Sequence, residues 1–188
     1  KGYLDAIMKA QRSIYGYFFL EDMLKGDVLD EMLRVCPVKP NKDGVETVQY
    51  VYANYFLARR MATDERTDIM SRIGRELGVK NKINLYTPDS AVKFINVNNR
   101  GTVDYYNEMP YVFRNSRINL NITLRSIKSG IPLRCMDVCG AGGFLLSNYQ
   151  EDLYDVFVPG EDMVIYDSID DLMNKCKYYL SHDAERRQ

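Results

Sequence analysis

Beyond Lys82 the chain changes texture: short apolar runs begin to alternate with longer stretches of helical periodicity. The short runs fall at residues 83–86, 92–97, 118–122, 144–146 and 163–166, and the periodicity predicts helices over 109–115, 133–139, 149–157 and 169–181. Strands and helices in alternation imply βα units, and therefore an α/β fold on a parallel sheet. The last helix carries the plainest signals. Ser168 is placed to cap it with Asp171 answering, and Ile169, Leu172, Met173, Cys176 and Leu180 share one face. In open parallel sheets ligands bind beyond the carboxyl ends of the strands. The segment 123–137, which follows the run at 118–122, belongs at that edge.

The first 79 residues are mostly helical in pattern. Apolar residues from Leu4 to Leu33 recur at three- and four-residue steps, and Gly26-Asp27 interrupts them, which predicts two helices with Asp27 near the second cap. Residues 37–44 read as a polar loop and 45–61 as a third helix. Thr63-Asp-Glu-Arg is a start signal for a fourth, with Thr63 as N-cap and an end at Gly78. Tyr15, Tyr17, Tyr50, Tyr52 and Tyr55 fit the edge of a packed core better than a sugar-stacking stripe. The domain boundary is thus expected near residue 79, with a helical segment at 1–79 and the α/β domain at 80–188.

A chain of 188 residues with 46% hydrophobic content is long enough to bury a core. Its 25 basic and 26 acidic side chains sum to −1, which provides no global field to hold a polyanion, so nucleic acid is not an expected partner. No run approaches the roughly 18 apolar residues of a transmembrane segment, and the N-terminus has no signal-peptide pattern. A cytoplasmic location is the expectation. Cys36, Cys135, Cys139 and Cys176 are dispersed and are expected to be buried free thiols, not zinc ligands or disulfides. His182 is the sole histidine and sits at a helix junction, so triad chemistry has little support.

Chemistry concentrates at residues 130–148, Gly-Ile-Pro-Leu-Arg-Cys-Met-Asp-Val-Cys-Gly-Ala-Gly-Gly-Phe-Leu-Leu-Ser-Asn. Helix N-termini attract anions, and glycines let a phosphate approach the backbone. On that basis Arg134 neutralises a pyrophosphate, and Asp137, one turn further on, accepts hydrogen bonds from ribose hydroxyls. Gly140, Gly142 and Gly143 equally suit a helix C-cap with close packing against the next strand, and the segment alone leaves both readings open.

An ordered series surrounds that segment: Arg117-Ile-Asn-Leu-Asn-Ile-Thr123, Ser129-Gly-Ile-Pro-Leu-Arg134, Asp137, then Gly140 to Leu146. Residues 149–157, Gly160-Glu-Asp-Met-Val-Ile-Tyr166, Asp170-Asp-Leu172, Tyr178-Tyr-Leu180 and Glu185-Arg-Arg187 complete it. Over about residues 80–188 the series resembles the C-terminal part of CgeB-like glycosyltransferases, relatives of the retaining GT-B enzymes with a Glu-x-x-x-x-x-x-x-Glu signature. The resemblance implies a Rossmann-like domain that holds a nucleoside-diphosphate sugar, while the N-terminal half of the same enzyme presents the acceptor, a glycan or a protein.

The resemblance puts Asp137 at the second signature glutamate, one methylene shorter, and Ser129 where the first glutamate stands. Arg134 then compensates the diphosphate, Gly140, Gly142, Gly143 and Phe144 surround the donor, and the turn Asn98-Asn-Arg-Gly101 meets the base. Arg125 and Lys128 are further diphosphate candidates, and no catalytic residue is assigned. Asp-x-Asp motifs do not occur, so no metal is expected, and the sugar nucleotide is a substrate that needs no further cofactor. The chain opens on Lys1 and stops in a helix expected to begin near Asp183, which suggests a part of a longer protein, inactive when isolated. Two alternatives stand beside this reading: a non-enzymatic α/β interaction or regulatory module, and a degenerate transferase fragment, which Ser129 favours.

Overall fold

The computed structural model describes residues 2–40 and 44–187, so part of the loop expected at 37–44 lies outside the described residues. Two compact units are present: Lys1–Glu65 with Leu124–Lys128, and Arg66–Thr123 with Ser129–Gln188.

The first unit is built from α1 (Gly2–Arg12), α2 (Leu20–Met23), α3 (Asp27–Val35), α4 (Val48–Val51), a π-helical stretch at Tyr52–Leu57 and the beginning of α5 (Ala58–Glu76). Ile7, Phe18, Leu20, Leu24, Tyr52 and Met61 form its apolar centre. Its first 35 residues make three helices where two were expected. The extra break comes from Gln11, whose buried amide donates to the Tyr17 carbonyl at 2.7 Å and accepts from the Phe19 N–H at 2.8 Å. A satisfied amide replaces helical bonds across this turn, and Gly16, at φ 77°, lets the chain reverse.

A second difference lies at Thr63. No break separates a third helix from a fourth: the chain is helical from Val48 through Glu76. The Thr63 hydroxyl donates to the Arg59 carbonyl at 3.1 Å, so it bonds back to the preceding turn and caps nothing.

The second unit carries the parallel sheets. β1 (Ile83–Leu85) pairs with β2 (Val97–Asn99), and β3 (Asn119–Asn121), β4 (Leu145–Asn148) and β5 (Val164–Tyr166) form a sheet in that order. Leu120 stands beside Leu146, and Leu146 beside Val164. The connections hold α6 (Met109–Asn115) and α7 (Leu133–Gly140), and α8 (Ile169–Ser181) and α9 (Asp183–Arg186) follow β5. This is a Rossmann-like α/β arrangement. Phe113, Cys135, Val138, Leu145, Leu153 and Met163 fill the space between helices and sheet.

Both α6 and α8 take their expected bounds, and the Ser168 hydroxyl accepts from the Asp171 N–H at 3.1 Å. Two elements differ from expectation. β2 starts at Val97 because the Asn99 amide holds residues 89–92 as a loop, donating to the Asp89 and Val92 carbonyls at 2.9 and 3.2 Å. The helix expected at 149–157 is a short 3₁₀ helix at Glu151–Asp155, since the Tyr149 N–H is taken by the Tyr166 carbonyl at 2.9 Å and Gln150 stays extended.

Cys135 and Cys176 are buried, and burial pushes their thiols up to about 11 and about 12; Cys36 is exposed, against expectation. Among the described residues no helix is long and apolar enough to cross a membrane.

Candidate functional site

The carboxyl ends of β3, β4 and β5 share one edge, where polar side chains are buried. The Asn121 amide donates to the hydroxyls of Thr123 and Ser147, each at 2.9 Å. Asn148 accepts from the Thr123 N–H at 2.8 Å and donates to its carbonyl at 3.2 Å. These bonds fix the direction in which the chain leaves β3. Beside them Gln150 is buried, and among the described residues its Oε1 has no hydrogen-bond partner.

After β3 the chain returns to this unit at Ser129, which is exposed. The Gly130 N–H then donates to the Asp152 carboxylate. Pro132 precedes α7 at the cap position and makes no side-chain cap bond, so the first turn presents N–H groups and a partial positive charge. Arg134 lies in that turn, exposed, with its guanidinium carbon 5.2 Å from the centre of the Phe113 ring.

One turn on, Asp137 accepts from the Tyr105 hydroxyl at 2.7 Å. The Tyr105 phenol is raised above its ordinary value, first by that hydrogen bond, then by desolvation and the Asp137 charge, while the Arg134 guanidinium opposes the shift. Arg134, Asp137 and Tyr105 therefore lie within one electrostatic neighbourhood. Tyr105 was not singled out from the sequence. The available signal was its place in the connection that leaves β2, which also holds Gly101, turned at φ 73° with its N–H on Asn99 Oδ1 at 3.0 Å.

The remaining glycines lie elsewhere. Gly142 N–H bonds the Cys139 carbonyl and Gly143 N–H the Val138 carbonyl, each at 2.9 Å, which is a Schellman cap on the end of α7. Gly142 has φ 71°, and a Cβ at Gly143 would lie 2.7 Å from the Phe113 carbonyl oxygen. Gly140, Gly142, Gly143 and Phe144 are thus at the opposite end of α7 from Arg134, where the sheet has its amino edge. In the other unit, Arg125 is buried against Glu65, and Lys128 is exposed, 3.9 Å from Glu21.

A family model described as glycosyl transferase-like matches residues 59–188, well over half of the chain. The chain belongs to that family. No curated protein and no solved structure matches it.

A glycosyl transferase-like chain acts on a sugar donor and an acceptor. The matched residues include α7, the three-stranded sheet and the Tyr105 loop. In this glycosyl transferase-like domain the exposed Arg134 and the uncapped start of α7 can face negative charge, and Asp137 with Tyr105 can exchange hydrogen bonds with hydroxyl groups. Among the described residues, no three His, Cys, Asp or Glu side chains are gathered where they could hold a metal ion.

Proposed function

We propose that the chain is the donor-binding part of a GT-B glycosyltransferase of CgeB-like type. It takes a nucleoside-diphosphate sugar at the start of α7 and works with an N-terminal half that presents a glycan or protein acceptor. The observation that carries this reading is the uncapped helix start with Arg134 in its first turn and the Asp137–Tyr105 pair one turn further on.

Under this reading the diphosphate seats on the first N–H groups of α7 and on Arg134. As the bond to the sugar breaks, negative charge grows on the leaving diphosphate, and a guanidinium and a helix N-terminus stabilise it without a metal ion. Asp137, already oriented by Tyr105, accepts from the ribose hydroxyls. The turn at Gly101 meets the base, and Ser129 stands beside the sugar in place of a carboxylate. Transfer proceeds with retention, in the cytoplasm.

Calorimetric titration with UDP, GDP, ADP and dTDP, with and without magnesium, tests the reading. One nucleotide is expected to bind independently of metal, with affinity lost in both Arg134→Ala and Asp137→Ala. Binding of none of the four by the folded chain, or binding that survives both substitutions, overturns it.

A further inference from the structure

Residues 114–117 lead into β3, 142–144 into β4 and 160–163 into β5, so in a parallel sheet all three stretches lie at the amino edge. Together with residues 185–187 they border a cleft of about 700 Å³. That size falls within the roughly 300–1,000 Å³ of small-molecule sites. The cleft stands at the far pole of α7 from Arg134, and nothing in the proposed donor chemistry uses it.

Its lining is rich in guanidiniums. It carries Arg114, Arg117, Arg186 and Arg187, with Glu185 beside them accepting from the Tyr178 hydroxyl. Among the described residues Arg117 donates to neutral oxygens, Asn81 Oδ1 at 2.6 Å and the Leu180 carbonyl at 3.4 Å. Arg186 has a side chain only 9% exposed; Nη1 donates to the Arg117 carbonyl at 3.2 Å, Nη2 reaches Asp183 at 2.9 Å, and Nε is buried with no partner. A buried guanidinium N–H without an acceptor is unfavourable by about as much as a lost hydrogen bond. The Asp183 carboxyl is held below its usual range, first by its hydrogen bond to Arg186 and further by the charges of Arg187 and Arg117. Several guanidiniums thus act on one nearby carboxylate.

The same lining holds a different chemistry. Glu161 and Asp162 lie where the chain approaches β5; Asp162 Oδ2 accepts from the Val158 N–H at 2.7 Å, and carboxylates have further lone pairs that accept well from sugar hydroxyls. Phe144 and Tyr179 border the same space with ring centres 4.7 Å apart, giving an aromatic surface for the C–H face of a ring. Four arginines together with carboxylates and two aromatic rings around one cleft suit a ligand with an anionic end and a hydroxylated ring.

We propose that the amino-edge cleft binds a phosphorylated sugar, with the phosphate on Arg114, Arg117, Arg186 and Arg187 and the sugar hydroxyls on Glu161 and Asp162. It is a second ligand site, separate from the donor site at the start of α7.

Titration of the chain with glucose 6-phosphate, glucose and inorganic phosphate tests this. Glucose 6-phosphate is expected to bind saturably and at least ten-fold more tightly than either of the others. The paired surface change Arg114→Gln with Arg187→Gln lowers that affinity at least ten-fold at unchanged melting temperature, and Glu161→Gln weakens the sugar phosphate without affecting phosphate. Arg134→Ala and Asp137→Ala leave it intact, so the donor reading and this one fail separately. No saturable binding, inorganic phosphate binding as tightly as the sugar phosphate, affinity unchanged in the double variant, or affinity lost in Arg134→Ala overturns the proposal.

Discussion

Arg125 Nη2 lies 2.5 Å from Glu65 Oε1, although 60 residues separate them in sequence, and both side chains are only 3% exposed. The Arg125 guanidinium also lies 3.0 Å over the Tyr15 ring and donates to the Arg12 carbonyl at 3.3 Å. Burial lifts the Tyr15 phenol to about 12, so it stays protonated and donates to Glu65 at 3.3 Å. The stretch Leu124–Lys128 is held in the helical unit by this cluster. Removing one partner leaves the other charged and buried. Glu65→Ala or Arg125→Ala is therefore expected to destabilise by about 3–5 kcal/mol in urea denaturation. A change below about 1 kcal/mol would mean that water already reaches the pair.

Glu76 gives the second unit an acid-sensitive tie between α5 and α8. Its carboxylate accepts from Lys177 at 2.6 Å and from Arg72 at 2.7 Å, and these partners, Lys177 first, hold its carboxyl down at about 2. A carboxyl lowered in the folded state adds stability above its ordinary value of 4.5 and loses it as pH falls through 2. Stability measured between those limits should fall less steeply with acid in Glu76→Gln than in the parent. Parallel curves would sink this assignment.

The glycines at the end of α7 predict three different outcomes. Gly140 is helical with open space around it, so Gly140→Ala should stabilise by about 0.5 kcal/mol. Gly142 has φ 71°, and alanine there should cost about 1–2 kcal/mol. Gly143→Ala should cost more, because its Cβ meets the Phe113 carbonyl oxygen at 2.7 Å and Asn119 Nδ2 at 2.8 Å. Thermal melts of the three variants rank them, and equal melting temperatures would contradict the cap.

Tyr105 reports on Asp137. Its phenol is raised chiefly because it donates to that carboxylate, so Asp137→Asn should bring its titration back toward the ordinary value near 10.0. The hydrogen bond contributes stability that is present below that value and lost as pH rises through the raised one. Tyrosine ring NMR across alkaline pH reads the shift directly. A Tyr105 titration identical in parent and variant would show that the pair does not form in solution.

What the sequence made legible was local. The bounds of α6 and α8 follow from periodicity and a cap, and the runs at β1, β3, β4 and β5 from apolar bursts between turn residues. Thr63 misled because its hydroxyl has two uses with one sequence pattern, a cap or a bond back to the preceding turn, and only the tertiary setting chooses. The break after Arg12 was hidden because a glutamine amide carries no turn signal of its own until its partners, Tyr17 and Phe19, are in place. At the candidate site, Arg134 and Asp137 could be read from their spacing on one helix. Tyr105 reaches Asp137 across 32 residues, and Arg125, read as a diphosphate candidate, is taken up by a glutamate 60 residues away. Pairings of that range have no periodic trace in the chain.

Pro132 leaves α7 an unfinished helix. At its far end the backbone closes the last turns, but at its start Pro132 supplies no side-chain cap and only the Cys135 N–H, on the Pro132 carbonyl at 2.8 Å, has a close backbone partner outside the regular helix bonds, among the described residues. An anion seated there does structurally what a serine or aspartate does elsewhere. Under the proposed donor reading, occupancy is measurable as slowed amide exchange at Leu133 and Arg134, and ligand capture would complete the helix.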